Sequence, residues 1–223
     1  MDKYIIAIGG GTLKDTTPID KYIVSLSSKD KPRVLFVPIA SGDNGDYIER
    51  FKEKYSKLNT DVDVLYLQNT TNDNYIRSKI FGCDIIYIGG GNTAKMMRIF
   101  KRTNVNHYLV DAYNRGIILT GLSAGAMAYF KCGYSDSNKM INPEANMTKV
   151  NCLDIIHYCF CPHYQEEDRA GFDSFVKEKG FDAIALDDNT ALVFKNEMIE
   201  KVVKSDNNAR AFIFKDNTKE RID

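Results

Sequence analysis

Short apolar runs alternate along the chain with segments whose apolar positions recur at helical spacing. Tyr4–Ile8, Arg33–Val37, Val62–Leu67, Asp84–Ile88 and Gly116–Thr120 are almost continuously apolar, the pattern of strands in a parallel sheet covered on both faces. Between them, Ile19–Ser27, Asp46–Leu58, Asn74–Phe81 and Thr93–Arg115 predict helices, the last broken near Thr103-Asn104. Strands and helices taken in turn imply right-handed βαβ units. The pattern therefore predicts an α/β fold, an open, mostly parallel sheet with helices on both faces. After Ser123 the pattern predicts a helix, a loop or hairpin from Gly133 to Asn146, a strand over Leu153–Cys161 and a charged helix from Gln165 to Lys179. Four short strands follow, Ala183–Leu186, Ala191–Phe194, Met198–Val203 and Ala211–Phe214, separated by polar turns. They predict an antiparallel meander closing the sheet edge at the C-terminal end. No repeat or long linker divides residues 1–223, so a single α/β domain is expected.

Charge narrows the function. The 223 residues carry 30 Lys plus Arg against 30 Asp plus Glu, a formal net charge of zero, and the two signs are interleaved. That is no footprint for nucleic acid or an anionic membrane surface, and a small-molecule or peptide partner is favoured instead. No apolar run approaches the ~18 residues of a membrane-spanning helix, and the N-terminal segment has no cleavable signal pattern. The five cysteines, Cys83, Cys132, Cys152, Cys159 and Cys161, lack zinc-ligand or redox-pair spacing and read as buried free thiols of a cytoplasmic protein. Neither a metal nor an organic cofactor is expected.

The segment Gly121-Leu122-Ser123-Ala124-Gly125 sits between an apolar strand and a small-residue helix. A G-x-S-x-G in that context is a nucleophile elbow, its glycines sparing a sharp turn the collisions of Cβ atoms. A capped strand-to-helix turn is the plainer alternative. A reactive serine needs a base, and the chain has three histidines. His107 falls within a helix and His157 mid-strand, where a satisfied core histidine is expected. His163 follows Cys161-Pro162 at a strand end, the edge at which α/β sheets hold ligands. Asp136 is one candidate for the acid that would orient it, with Asp187, Asp188, Glu166 and Glu167 in competition. Two glycine runs, Gly9-Gly10-Gly11 and Gly89-Gly90-Gly91, end strands and would let backbone N–H groups approach an anion or oxyanion. Gly9–Gly11 is read as an ordinary tight turn. Neither run has a nucleotide-binding spacing.

Taken together, Ile86-Tyr87-Ile88-Gly89-Gly90-Gly91-Asn92-Thr93, Gly121-Leu122-Ser123-Ala124-Gly125-Ala126, Tyr134-Ser135-Asp136-Ser137 and Cys161-Pro162-His163-Tyr164 resemble, in order, the serine peptidase family of dipeptidase E and cyanophycinase. The resemblance runs over nearly the whole chain and implies a fold like that of class I glutamine amidotransferases. It implies Ser123 as nucleophile, His163 as base and Asp136 as the orienting acid. Gly90 and Ala124 would form the oxyanion hole, with Gly91 and Asn92 also at the substrate. Tyr164-Gln165-Glu166-Glu167-Asp168-Arg169 stands where the dipeptidase has a longer loop. The expected substrates are short peptides, dipeptides with an acidic first residue among them, and the expected state is a monomer or homodimer. An esterase or amidase using the same groups, and a catalytically idle binding protein of the same fold, are the competing readings.

Overall fold

The computed structural model describes residues 2–216 and 218–223. Its first sheet has seven strands. Five run parallel: β1 (Tyr4–Ile8), β2 (Arg33–Val37), β3 (Asp61–Val64), β4 (Ile85–Ile88) and β5 (Ile118–Leu122), while β10 (Thr190–Lys195) and β11 (Met198–Lys204) run antiparallel at one edge, giving the order β11-β10-β1-β5-β4-β2-β3. Every residue of β4 and β5 is buried, as expected for strands with both faces covered.

A second, six-stranded sheet departs from the predicted meander. Its order is β13-β12-β9-β8-β6-β7, built from β6 (Phe130–Ser135), β7 (Thr148–Asn151), β8 (Ile156–Cys161), β9 (Ala183–Leu186), β12 (Ala211–Lys215) and β13 (Thr218–Arg221). Here β6, β8 and β9 are parallel, β7 pairs antiparallel with β6, β12 with β9 and β13 with β12. Only β10 and β11 of the four C-terminal runs join the first sheet; the other two, β9 and β12, pair with each other in the second. Helix α1 (Thr17–Ser25) and α2 (Gly45–Ser56) cover one face of the first sheet, packing Ile19, Ile23, Phe51 and Tyr55 on Ile6, Ile8 and Phe36. The opposite face carries α3 (Asp73–Phe81), α4 (Thr93–Arg102) and α5 (Val105–Asn114), and its core continues into Phe130, Phe160, Ile184 and Leu186 of the second sheet. The predicted break between α4 and α5 falls at Asn104, with φ 57°, a left-handed conformation that no helix interior accepts. The far face of the second sheet packs on Phe172 and Val176 of α7 (Phe172–Lys179). Among the described residues no helix is long and apolar enough to cross a membrane.

Candidate active site

Ser123 stands between β5 and the short helix α6 (Ala124–Met127), with φ 54° and ψ −113°. A serine rarely adopts that conformation, which costs on the order of 1–3 kcal/mol and persists only where the surroundings enforce it. The enforcement is visible. The Ser123 N–H donates to the Ile8 carbonyl at 3.0 Å, and the Ser123 carbonyl accepts from Met127 N–H at 2.9 Å. A Cβ on Gly121 would lie 2.4 Å from the Gly125 carbonyl carbon, and one on Gly125 would lie 2.0 Å from the Ile88 oxygen, so both elbow positions must be glycine.

His163 lies just beyond β8, itself at φ 53°. Its N–H donates to the Gly9 carbonyl at 3.1 Å, and the next N–H, of Tyr164, reaches the Leu186 carbonyl at 3.0 Å. These bonds fix the imidazole between the two sheets, with Nε2 2.8 Å from Ser123 Oγ and Nδ1 2.6 Å from Asp188 Oδ1. An ionised carboxylate only accepts, so Nδ1 carries the proton and the lone pair on Nε2 faces the serine hydroxyl. That is the arrangement in which an imidazole can take a proton from the serine.

The carboxylate at His163 Nδ1 is that of Asp188, one of the competing acids, and Asp136 does not reach the imidazole. Asp136 accepts from Arg169 Nη2 at 3.0 Å, and Arg169 is almost fully buried, so the guanidinium claims this carboxylate. Asp187 turns the other way and accepts from Arg210 Nε at 2.7 Å. Glu166 comes no nearer to His163 Nδ1 than 3.7 Å. Adjacent residues are split by the turn after β9. Asn189, at φ 61°, donates its N–H to the Gly10 carbonyl, and the Asp188 N–H donates to Gln165 Oε1 at 2.8 Å.

The run Gly9–Gly11 is correspondingly more than a tight turn. A Cβ on Gly10 would sit 1.9 Å from Asp188 Oδ1 and 2.4 Å from His163 Nδ1, so its missing side chain is the space in which the two groups meet. Gly11, at φ 109°, would place a Cβ 2.3 Å from Asn189 Oδ1. Across the serine, a Cβ on Gly90 would come 3.6 Å from that of Ser123, and Gly91, at φ 139°, abuts the Ala40 carbonyl. Gly90, Gly91, Ser123, His163 and Asp136 all line one cavity of about 560 Å³, together with Tyr47 and Arg50 of α2. Burial pushes the Tyr47 phenol up to about 12, so it remains a neutral hydrogen-bonding group at physiological pH. Asn92, expected at the substrate, is not among the residues lining this cavity. Its Oδ1 caps α4 by accepting from Lys95 N–H at 2.8 Å and its Nδ2 donates to the Ser137 carbonyl at 3.0 Å, so each end of the amide holds a structural bond.

The other histidines stand apart. His107 is exposed on α5. His157, expected in the core, points outward from β8 at 78% side-chain exposure and pairs with Asp154. Burial raises the thiols of Cys83, Cys152 and Cys161 above their ordinary range, and a shared hydrogen bond lowers Cys132 while raising Cys159. Among the described residues His163, Glu166 and Asp188 bring three possible ligand atoms within 4.8 Å. Both ring nitrogens of His163 are already committed, so a cation there would have to break the link to Asp188 or to Ser123.

Residues 5–202 match Peptidase family S51. The chain belongs to this peptidase family. It is 32% identical over 216 residues to the Bacillus subtilis (strain 168) protein described as uncharacterized peptidase YgaJ, covering 94% of this chain and 91% of that one. Peptidase E of Streptomyces coelicolor is 25% identical over 137 residues, 61% of this chain and 53% of that protein. Among solved structures, a peptidase from an acI-B1 Actinobacterium superposes with a TM-score of 0.77 at 18% identity, over 100% of this chain and 94% of that one. A putative peptidase E protein from Listeria monocytogenes EGD-e does so with a TM-score of 0.71 at 20% identity, over 92% and 99% of the two chains. The fold is that of these peptidases, and the enzyme is a peptide hydrolase.

Within this S51 peptidase, Asp136 and Asp188 make separable predictions. Asp136→Asn keeps an acceptor for Arg169 but removes its countercharge, which should cost about 1–3 kcal/mol of stability. Thermal unfolding will read that loss. The kcat of this variant should fall by less than about tenfold, far short of the ~10⁴ expected for an orienting carboxylate.

Proposed function

We propose that this S51 peptidase is a serine hydrolase of short peptides, with Ser123 as nucleophile, His163 as general base and Asp188 orienting the histidine. The observation that carries the reading is the unbroken chain of hydrogen bonds, Asp188 Oδ1 to His163 Nδ1 at 2.6 Å and His163 Nε2 to Ser123 Oγ at 2.8 Å. In the first step Ser123 Oγ bonds to the scissile carbonyl carbon while its proton passes to His163 Nε2. The oxyanion accepts hydrogen bonds from the backbone N–H groups of Gly90 and Ala124, the latter being free of any intrahelical partner because it opens α6. The tetrahedral species collapses as the C–N bond breaks and His163 returns the proton to the leaving amine. Water then attacks the acyl-serine by the same route and releases the acid.

The cavity favours a short zwitterion. It is of ordinary size for a small ligand, and it sets one guanidinium, Arg50, and one carboxylate, Asp136, beside the serine. A free peptide offers an ammonium and a carboxylate to match them. Arg50 would equally pair with an acidic first side chain, so dipeptides beginning with Asp head the substrate panel, with neutral dipeptides and simple acyl esters beside them. A fluorophosphonate should label Ser123 alone, as read by mass spectrometry, and free dipeptides should be cleaved faster than esters. Absence of labelling would remove the nucleophile assignment. Ester hydrolysis that outpaces every peptide would remove the peptide substrate and keep the nucleophile.

A further inference from the structure

We infer that the serine cavity continues into a basic groove that binds the acidic portion of peptide substrates longer than a dipeptide. The inference deepens the reading of the site as a serine peptidase and rests on it. The groove is a separate concavity of about 400 Å³ between the start of α1 and the outer face of α2. Arg50 and Leu13 line both it and the serine cavity, so the two spaces adjoin at these side chains. Lys14, Lys21, Lys54 and Lys57 supply the remaining positive charge of the groove, and Glu53 is its acid.

Ion pairing decides how much of that charge is available. Lys54 is tied to the buried Asp20, and Lys57 to Glu53 at 2.6 Å. Lys14, Lys21 and Arg50 form no ion pair among the described residues. The Nε of Arg50 donates only to the Asp46 backbone carbonyl, at 3.2 Å. On a chain of zero net charge, three uncompensated cations along a groove opening from the reactive serine make a local field of one sign. Such a field draws in and orients ligands of the opposite sign. An extended chain advances about 3.3–3.6 Å per residue. A peptide of about four to six residues, longer than a dipeptide by several such steps, would extend from Ser123 past Arg50 and Leu13, and its aspartate or glutamate side chains would meet Lys14 and Lys21.

The test compares peptides of equal length. Two hexapeptide sets, one with acidic residues before the cleaved bond and one with them after it, are measured against neutral hexapeptides. The acidic member of at least one set should have a kcat/KM about 5–30-fold above its neutral counterpart, since three partly exposed charge pairs each contribute modestly. The advantage should shrink steeply with added salt. Lys14→Glu/Lys21→Glu should abolish it, mainly through KM, whereas Lys101→Glu on the exposed side of α4 should leave the ratio as it was. Binding of a fluorescent acidic hexapeptide to Ser123→Ala gives a readout independent of turnover. Loss of that binding in the Lys14→Glu/Lys21→Glu background supports the groove even if another residue proves to be the nucleophile. Equal rates for acidic and neutral hexapeptides, or tighter binding of an oligonucleotide than of the acidic peptide to the same surface, would overturn the inference and leave the fluorophosphonate result intact.

Discussion

Ser123→Ala is expected to fold as the parent does and to lose about 10⁴–10⁶-fold in kcat, because a nucleophile that works as one unit with its base leaves little behind when removed. The substitution has a second signature, in the backbone. Ser123 is held at φ 54° and ψ −113° by contacts that do not involve its hydroxyl: the bond from its N–H to Ile8, and the close packing of Gly121, Gly125 and Ile88. Alanine has the same backbone preferences at this position, so stability should change by well under 1 kcal/mol. Turnover measured beside thermal unfolding checks both halves. A variant that keeps a tenth of its activity would show that the hydroxyl is not the attacking group, whatever its contact with His163.

Asp188→Asn should lower kcat by about 10⁴-fold with the fold intact. The amide can present its NH₂ to Nδ1, which then accepts and forces the proton onto Nε2, the wrong nitrogen for taking a proton from Ser123. KM should move little, since Asp188 is not among the residues lining the serine cavity. Asp188→Glu is the sharper control. Its extra methylene must fit the space left by the absent Gly10 side chain, where a single Cβ would already stand 1.9 Å from Asp188 Oδ1. It should therefore retain less activity than a carboxylate-for-carboxylate exchange ordinarily does. Near-normal rates in Asp188→Asn together with collapse in Asp136→Asn would return the orienting role to Asp136.

The parallel half of the first sheet, the sharp glycine-flanked turn at Ser123 and the strand-end position of His163 were all legible in the sequence, because each is written locally. An apolar run, a glycine spacing or a strand end needs only neighbours along the chain. What escaped was decided across space. Phe130–Ser135 carries a glycine and two polar residues and has little intrinsic strand signal; it is a strand because β7 and β8 flank it and Met127 fills the space above Gly133. Strand preference of that kind reflects packing more than backbone bias. Asp136 and Asp188 both follow strands, and nothing local ranks them. The difference lies in Arg169, 33 residues from Asp136, and in Gly10, whose missing Cβ admits only the carboxylate arriving from the turn after β9. The combination of the Gly9–Gly11 run with an Asp-Asn turn is the signal that could have found it.

Ownership of the hydrogen-bonded chain is divided. Ser123 belongs to the first sheet, His163 to the second, and Asp188 to the strand connection that passes from one to the other. The imidazole meets the hydroxyl only when the sheets are docked, with the His163 N–H seated on the Gly9 carbonyl. In the proposed mechanism neither sheet by itself would hold an activated serine. Hydrolytic power would then belong to the finished tertiary structure, and a half-made or partly unravelled chain would be inert toward the peptides around it, itself included.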